Sequence, residues 1–161
     1  MKNFVVFLLL VLFSITSCTR VPDKVQSPSL KIDIDYRDGA EVYLVRISAG
    51  ITNENNSTAL GAVKGAINII DPEKNDRIIS FPFSVDMVLP FSVGIIDAEK
   101  RCSKEEIDPV IKLFDIDTDE MVKNKGTDGI YIDENKISLA IDSYEKYDIV
   151  TLLEGKLNEK N

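Results

Sequence analysis

The sequence predicts a mainly β protein: a single antiparallel β-sandwich with one or two short helices, behind a cleaved leader. Three observations predict it. Apolar and polar residues alternate with a period of two over several short stretches. Gly, Pro, Asn and Asp cluster between those stretches. No convincing helix separates successive strands, as βαβ units would require.

The leader comes first. Met1-Lys2-Asn3 is a short basic start, and Phe4 to Phe13 is an unbroken apolar run of ten residues. As a helix the run covers roughly 15 Å at about 1.5 Å per residue, half of a ~30 Å hydrocarbon core. That length suits a secretory signal and falls short of a permanent membrane span. Ile15-Thr16-Ser17-Cys18 follows: an aliphatic residue, two small residues and a cysteine. This tetrapeptide resembles the lipobox of bacterial lipoproteins. The resemblance implies that residues 1–17 are removed and that the Cys18 thiol takes a diacylglyceryl group, usually with acylation of the new amino group. The chain is then expected in the cell envelope, held to its membrane by the lipid on Cys18. Thr19 is not the Asp that marks inner-membrane retention in many two-membraned bacteria, which favours the outer membrane. Two or three acyl chains, at about 0.8 kcal/mol per buried CH₂, anchor far better than one.

Residues 18–29 place Pro22 and Pro28 among charges and small residues without an apolar period. They read as a lipidated flexible tether, reaching roughly 30 Å at about 3.1 Å per residue.

The sandwich is expected over residues 30–157. Leu30, Ile32, Ile34 and Tyr36 alternate with Lys31, Asp33 and Asp35, the pattern of a half-buried strand. Asp38-Gly39 is a favoured two-residue hairpin turn, and Val42 to Ile51 is the partner strand, with Tyr43, Val45, Ile47, Ala49 and Ile51 on one side. A polar loop spans residues 52–58. Ala62 to Ile70 is a third strand, whose glycine and small residues suggest a bulge or a close backbone approach. Ile78 to Val85 and Met87 to Ile96 are further strands, and Pro82 and Pro90 point to edges or bulges.

Ser103-Lys104-Glu105-Glu106 has capping-box spacing, and Ile107, Val110, Ile111 and Phe114 follow at helical spacing. Pro109 would cost a helix about 3 kcal/mol, so the expectation is a helical turn over residues 103–108 and a strand from Val110 to Ile116. Ile130 to Ile132 and Lys136 to Ile141 read as a second hairpin around Asp133-Glu134-Asn135. Residues 149–157 fit a helix capped by Asp148, yet Ile149-Val150-Thr151 is β-branched; both readings stand. Residues 158–161 are expected to fray.

The stretch from Ile51 to Asp71, a polar Asn/Ser loop and a strand ending in Asp before a turn, resembles FxLYD-type domains of bacterial envelope proteins. That resemblance implies an immunoglobulin-like sandwich serving as an extracytoplasmic module.

Without the leader's Lys2, 18 basic residues face 27 acidic ones, a formal net charge of −9. Such a surface repels phosphate backbones, which excludes nucleic acid as the expected partner. The chain has no His and no Trp. Without His there are no Ser-His or Cys-His nucleophile pairs and few transition-metal sites. Once Cys18 is lipidated, Cys102 is the one remaining thiol; Lys100, Arg101 and Lys104 beside it would activate it only if they surround it in space.

Asp115, Asp117 and Asp119 begin like an EF-hand loop, but Glu120 stands where that loop needs Gly, and Gly126 where it needs a bidentate Glu. A different calcium site could draw on the same three aspartates with Asp33 and Asp35. The richest apolar segment runs from Ile78 to Phe91. It is expected in the core, with any of Phe81, Phe83 and Phe91 that cannot point inward forming a patch for a partner. The expected function is non-catalytic and without a cofactor: an interaction or structural module contacting another envelope protein. The alternative is a small-ligand or calcium-binding lipoprotein.

Overall fold

A computed structural model describes residues 19–37 and 39–158. The leader (1–17), Cys18, Asp38 and residues 159–161 of the tail lie outside the described residues. Two antiparallel sheets face each other. One runs β5 (Ser92–Cys102), β2 (Ala40–Asn53), β1 (Val25–Arg37), β6 (Ile130–Tyr131); the other runs β4 (Asp76–Val88), β3 (Thr58–Asp71), β7 (Ile137–Asp148). Four strands in one antiparallel sheet and three in the other make a β-sandwich. The sandwich predicted from period-two alternation is the fold.

Alternation is what buries the core. Leu30, Ile32 and Ile34 of β1 and Tyr43, Val45, Ile47, Ala49 and Ile51 of β2 all point inward, while Tyr36 is exposed. Phe81 and Phe83 of β4 meet them from the other sheet. Arg37 pairs with Ala40, so the first hairpin forms where expected, with Gly39 at φ 82. The close approach expected in β3 is real. A side chain on Gly65 would overlap the Ala140 carbonyl, and the strand bulges at Ala62, φ 46. Pro82 sits in β4, an edge strand, as its missing N–H demands.

Five boundaries or elements differ from expectation. First, β1 begins at Val25, inside the expected tether: Val25 is buried against Ile51, and Pro28 falls at the bulge between Gln26 and Ser29, where the ladder is interrupted anyway. Second, the expected strand Met87–Ile96 is broken by the turn Leu89–Ser92, because Pro90 has no N–H for a ladder.

Third, residues 103–116 hold a helix, α1 (Lys104–Leu113), in place of the strand expected from Val110. Ser103 and Glu106 complete the capping box, and Ile107, Val110 and Ile111 form the buried stripe. Burying three such side chains, at about 1.5–3 kcal/mol each, outweighs a proline penalty of about 3 kcal/mol. The carbonyl that Pro109 leaves without a helical donor is that of Glu105, an exposed residue that water can serve. Fourth, a second short helix, α2 (Thr118–Asn124), follows it.

Fifth, the expected second hairpin is no hairpin. β6 pairs with Ser29 and Leu30 of β1, whereas β7 pairs with β3, so the 3₁₀ turn Glu134–Lys136 carries the chain from one sheet to the other. The open question at the end resolves to a helix, α3 (Ile149–Asn158), with the Asp148 carboxylate accepting from Val150 N at 2.8 Å.

The free side of β1 is covered along much of its length. Ile34 N donates to the Lys125 carbonyl, Thr127 N to that of Ile32, and Ile132 N to that of Pro28, at 2.7–3.0 Å. Gly126, φ 152, allows this approach, since a side chain there would strike the Ile32 carbonyl.

Candidate functional site

The acidic run is used by the fold. Asp115 takes φ 52 at the corner between α1 and α2, a conformation aspartate tolerates. Asp117 is the N-cap of α2, its carboxylate accepting from Asp119 N at 2.9 Å and Glu120 N at 3.1 Å, and Asp119 lies in the first turn. Negative charge there complements the helix dipole. The run is thus a helix start, and not the end of the strand expected from Val110 to Ile116. Asp33 lines the same open cleft as Asp115 and Asp117, but it is already paired with Lys31 at 3.3 Å and with Arg46. Asp35 pairs with Arg37. Among the described residues, no group of three or more His, Cys, Asp or Glu side chains is placed to hold a metal ion.

Cys102 closes β5 and is buried in the core. Burial, reinforced by Glu106 and only partly opposed by Lys100, pushes its thiol above the ordinary cysteine value. The basic neighbours therefore do not activate it, since Lys100 is itself paired with Glu106 at 3.1 Å. Its cross-strand partner Tyr43 donates to Glu41 at 2.7 Å, and burial, then that bond, pushes the phenol up to about 12.

The least expected arrangement lies at the end where β2 passes into β3. Asn53 is fully buried there, with every hydrogen-bonding position filled. Its amide donates to the Thr58 and Val88 carbonyls, both at 2.9 Å, and its carbonyl accepts from Asn55 N at 3.1 Å and Asn55 Nδ2 at 2.6 Å. Asn53 also pairs with Ser92 across the sheet. One side chain thus ties the β2–β3 loop to the β4–β5 turn. The start of the described chain joins the same knot. Arg20 N donates to Asn55 Oδ1 at 2.8 Å, Asn55 Nδ2 returns a bond to the Arg20 carbonyl at 2.9 Å, and the Arg20 guanidinium pairs with Glu54. Helix α3 departs from it too, with Ile149 N bonded to the Ser57 carbonyl.

The turn held by this knot is apolar and open to solvent. Ser92 N and Oγ both donate to the Leu89 carbonyl, at 3.2 and 2.7 Å. Pro90 and Phe91 occupy the two central positions, and Phe91 has φ 51. This is the arrangement of a type II turn, whose third position favours Gly. Phe91 is 73% exposed, and Met87, Leu89, Val93 and Ile95 around it are exposed as well. Val93 and Ile95 alternate with buried Gly94 and Ile96, which puts both on the outer face of β5.

The expectation for the aromatic segment therefore divides: Phe81 and Phe83 are core, and Phe91 is surface. Sequence reading missed the role of Asn53, although Asn-x-Asn in a loop between two strands is a usable signal for side-chain bonding to the backbone. Among the described residues, no helix is long and apolar enough to cross a membrane. Compared with protein-family models, curated proteins and solved structures, the chain matches none.

Proposed function

We propose that this chain is a bacterial envelope lipoprotein, anchored through lipid on Cys18, whose β-sandwich acts as a non-catalytic interaction or structural module. The observation that carries the proposal is the ten-residue apolar run Phe4 to Phe13 followed directly by Ile15-Thr16-Ser17-Cys18. The short basic start before that run supports it. So does the resemblance of residues 51–71 to FxLYD-type extracytoplasmic modules. A non-catalytic role is supported by the lack of His in the chain and by the burial of Cys102. Thr19 at the position after Cys18 favours the outer membrane.

The test has two stages. Mass spectrometry of the protein from bacterial membranes is expected to find a mature N-terminus at acylated Cys18, and Cys18→Ala is expected to abolish both lipid and cleavage. An unmodified chain still beginning at Met1 overturns the lipoprotein reading. Crosslinking in intact cells is then expected to capture one envelope protein, and to lose it when the sandwich is replaced while the anchor is kept. Capture that survives this replacement overturns the role given to the domain.

A further inference from the structure

We propose that the end of the sandwich around the β4–β5 turn rests on the bilayer itself, with Leu89 and Phe91 inserted at the level of the lipid headgroups and upper acyl chains. The proposal rests on the lipid anchor at Cys18. It replaces a domain held off its membrane by a long tether with one seated directly on it.

Position is the first argument. Arg20 is fixed to Glu54 and Asn55, and through Asn53 that loop is joined to Val88 and Ser92, the two ends of the apolar turn. Cys18 and Arg20 are two positions apart in the sequence, at most about 7 Å when extended. The expected reach of roughly 30 Å is lost because β1 begins at Val25, and Arg20 to Lys24 line a cleft with Thr52 and Glu54. A lipid on Cys18 is therefore confined to the end of the sandwich that carries the Phe91 turn, and cannot be carried to the far end, where β1 turns into β2.

The second argument is the conformation and exposure of Phe91. A left-handed backbone is unfavourable for a residue with a side chain, and a large aromatic left in water contributes little of its burial energy. Phe91 carries both penalties at once, in a turn position where Gly would carry neither. A strained turn that holds an aromatic side chain out in water marks a surface for an apolar neighbour.

The third argument selects the neighbour's chemistry. Asp86 and Asp97 flank the patch, and Arg20 is already paired with Glu54, so attraction to anionic lipid does not drive the contact. Apolar insertion does, and neutral lipid suffices.

The chain has no Trp, so Phe91→Trp introduces a single fluorescent reporter, and Tyr36→Trp at the opposite end is its control. The protein purified from bacterial membranes is reconstituted into phosphatidylcholine vesicles, with and without acyl chains brominated near the headgroup. The Phe91→Trp protein is expected to show blue-shifted emission and to lose most of it to brominated lipid, while Tyr36→Trp stays red-shifted and unquenched. Leu89→Trp provides a second reporter with the same expected outcome. Equal, unquenched emission from both ends, in protein that floats with the vesicles, overturns the docking and leaves the anchor standing. Protein that does not float, with no lipid on Cys18, overturns both. If Phe91→Trp is exposed on pure lipid but shielded in native envelope fragments, the patch seats a protein and the bilayer contact is wrong.

Discussion

The corner at residues 115–117 with the start of α2, and the turn at residues 89–91 with the start of β5, treat their most conspicuous side chains in opposite ways. In the first, Asp117 caps α2 and Asp119 lies where the helix dipole favours it. In the second, Leu89 and Phe91 point into solvent and the backbone is held by others: by Ser92 locally and by Asn53 from β2. The acidic connection attracts attention in the sequence, yet local structure accounts for it. The apolar one reads as core in the sequence, yet the core does not use Phe91. Side chains left over once folding has been satisfied are the better guide to a working surface.

Three substitutions sharpen or break that contrast. The largest effect is expected at Asn53→Leu, which removes the amide donor from the buried Val88 carbonyl and the half-buried Thr58 carbonyl. At about 1–3 kcal/mol for each unsatisfied group, the loss should be about 3 kcal/mol, seen as a lower urea midpoint at unchanged slope. A loss near zero would mean that the apolar turn holds itself. Next comes Asp117→Ala, expected to cost about 1 kcal/mol as a lost N-cap, equally with and without millimolar calcium. Calcium that raises Tm in the parent protein but not in this variant would make the acidic connection a binding site after all. The smallest effect is expected at Phe91→Gly, with the opposite sign. Relief of the left-handed strain should stabilise the fold by about 0.5–1 kcal/mol in thermal or urea unfolding. Destabilisation by a similar amount would return Phe91 to the core.

Much of the fold was legible because its signals are local. The alternation in β1 and β2 and the Asp-Gly turn needed only neighbouring residues to agree, and the inward faces of both strands follow from them. The failures came where a distant partner decided. Pro109 argued locally against a helix, and the burial of Ile107, Val110 and Ile111 against the two sheets overruled it. Ile130 to Ile141 carried a good hairpin pattern, but β6 found β1 and β7 found β3, neither of which is near in sequence. The tether was misjudged for a related reason: Val25 has no alternating run behind it, only Ile51 opposite. Of the site, the aromatic cluster was visible in the sequence, whereas Asn53, which positions it, looked like any residue of a polar loop.

The covering of β1 also bears on how the chain folds. Ile32 and Thr127 are 95 residues apart, so the flank of the first hairpin stays bare until nearly all of the domain has been made. A ribosome delivers β1 and β2 early, and in that interval an uncovered ladder of N–H and C=O groups is open to pairing with any passing strand. Contacts of such long range also slow the search for the native state. The nascent chain therefore depends on staying apart from other copies until Lys125 to Tyr131 arrives to close the sheet.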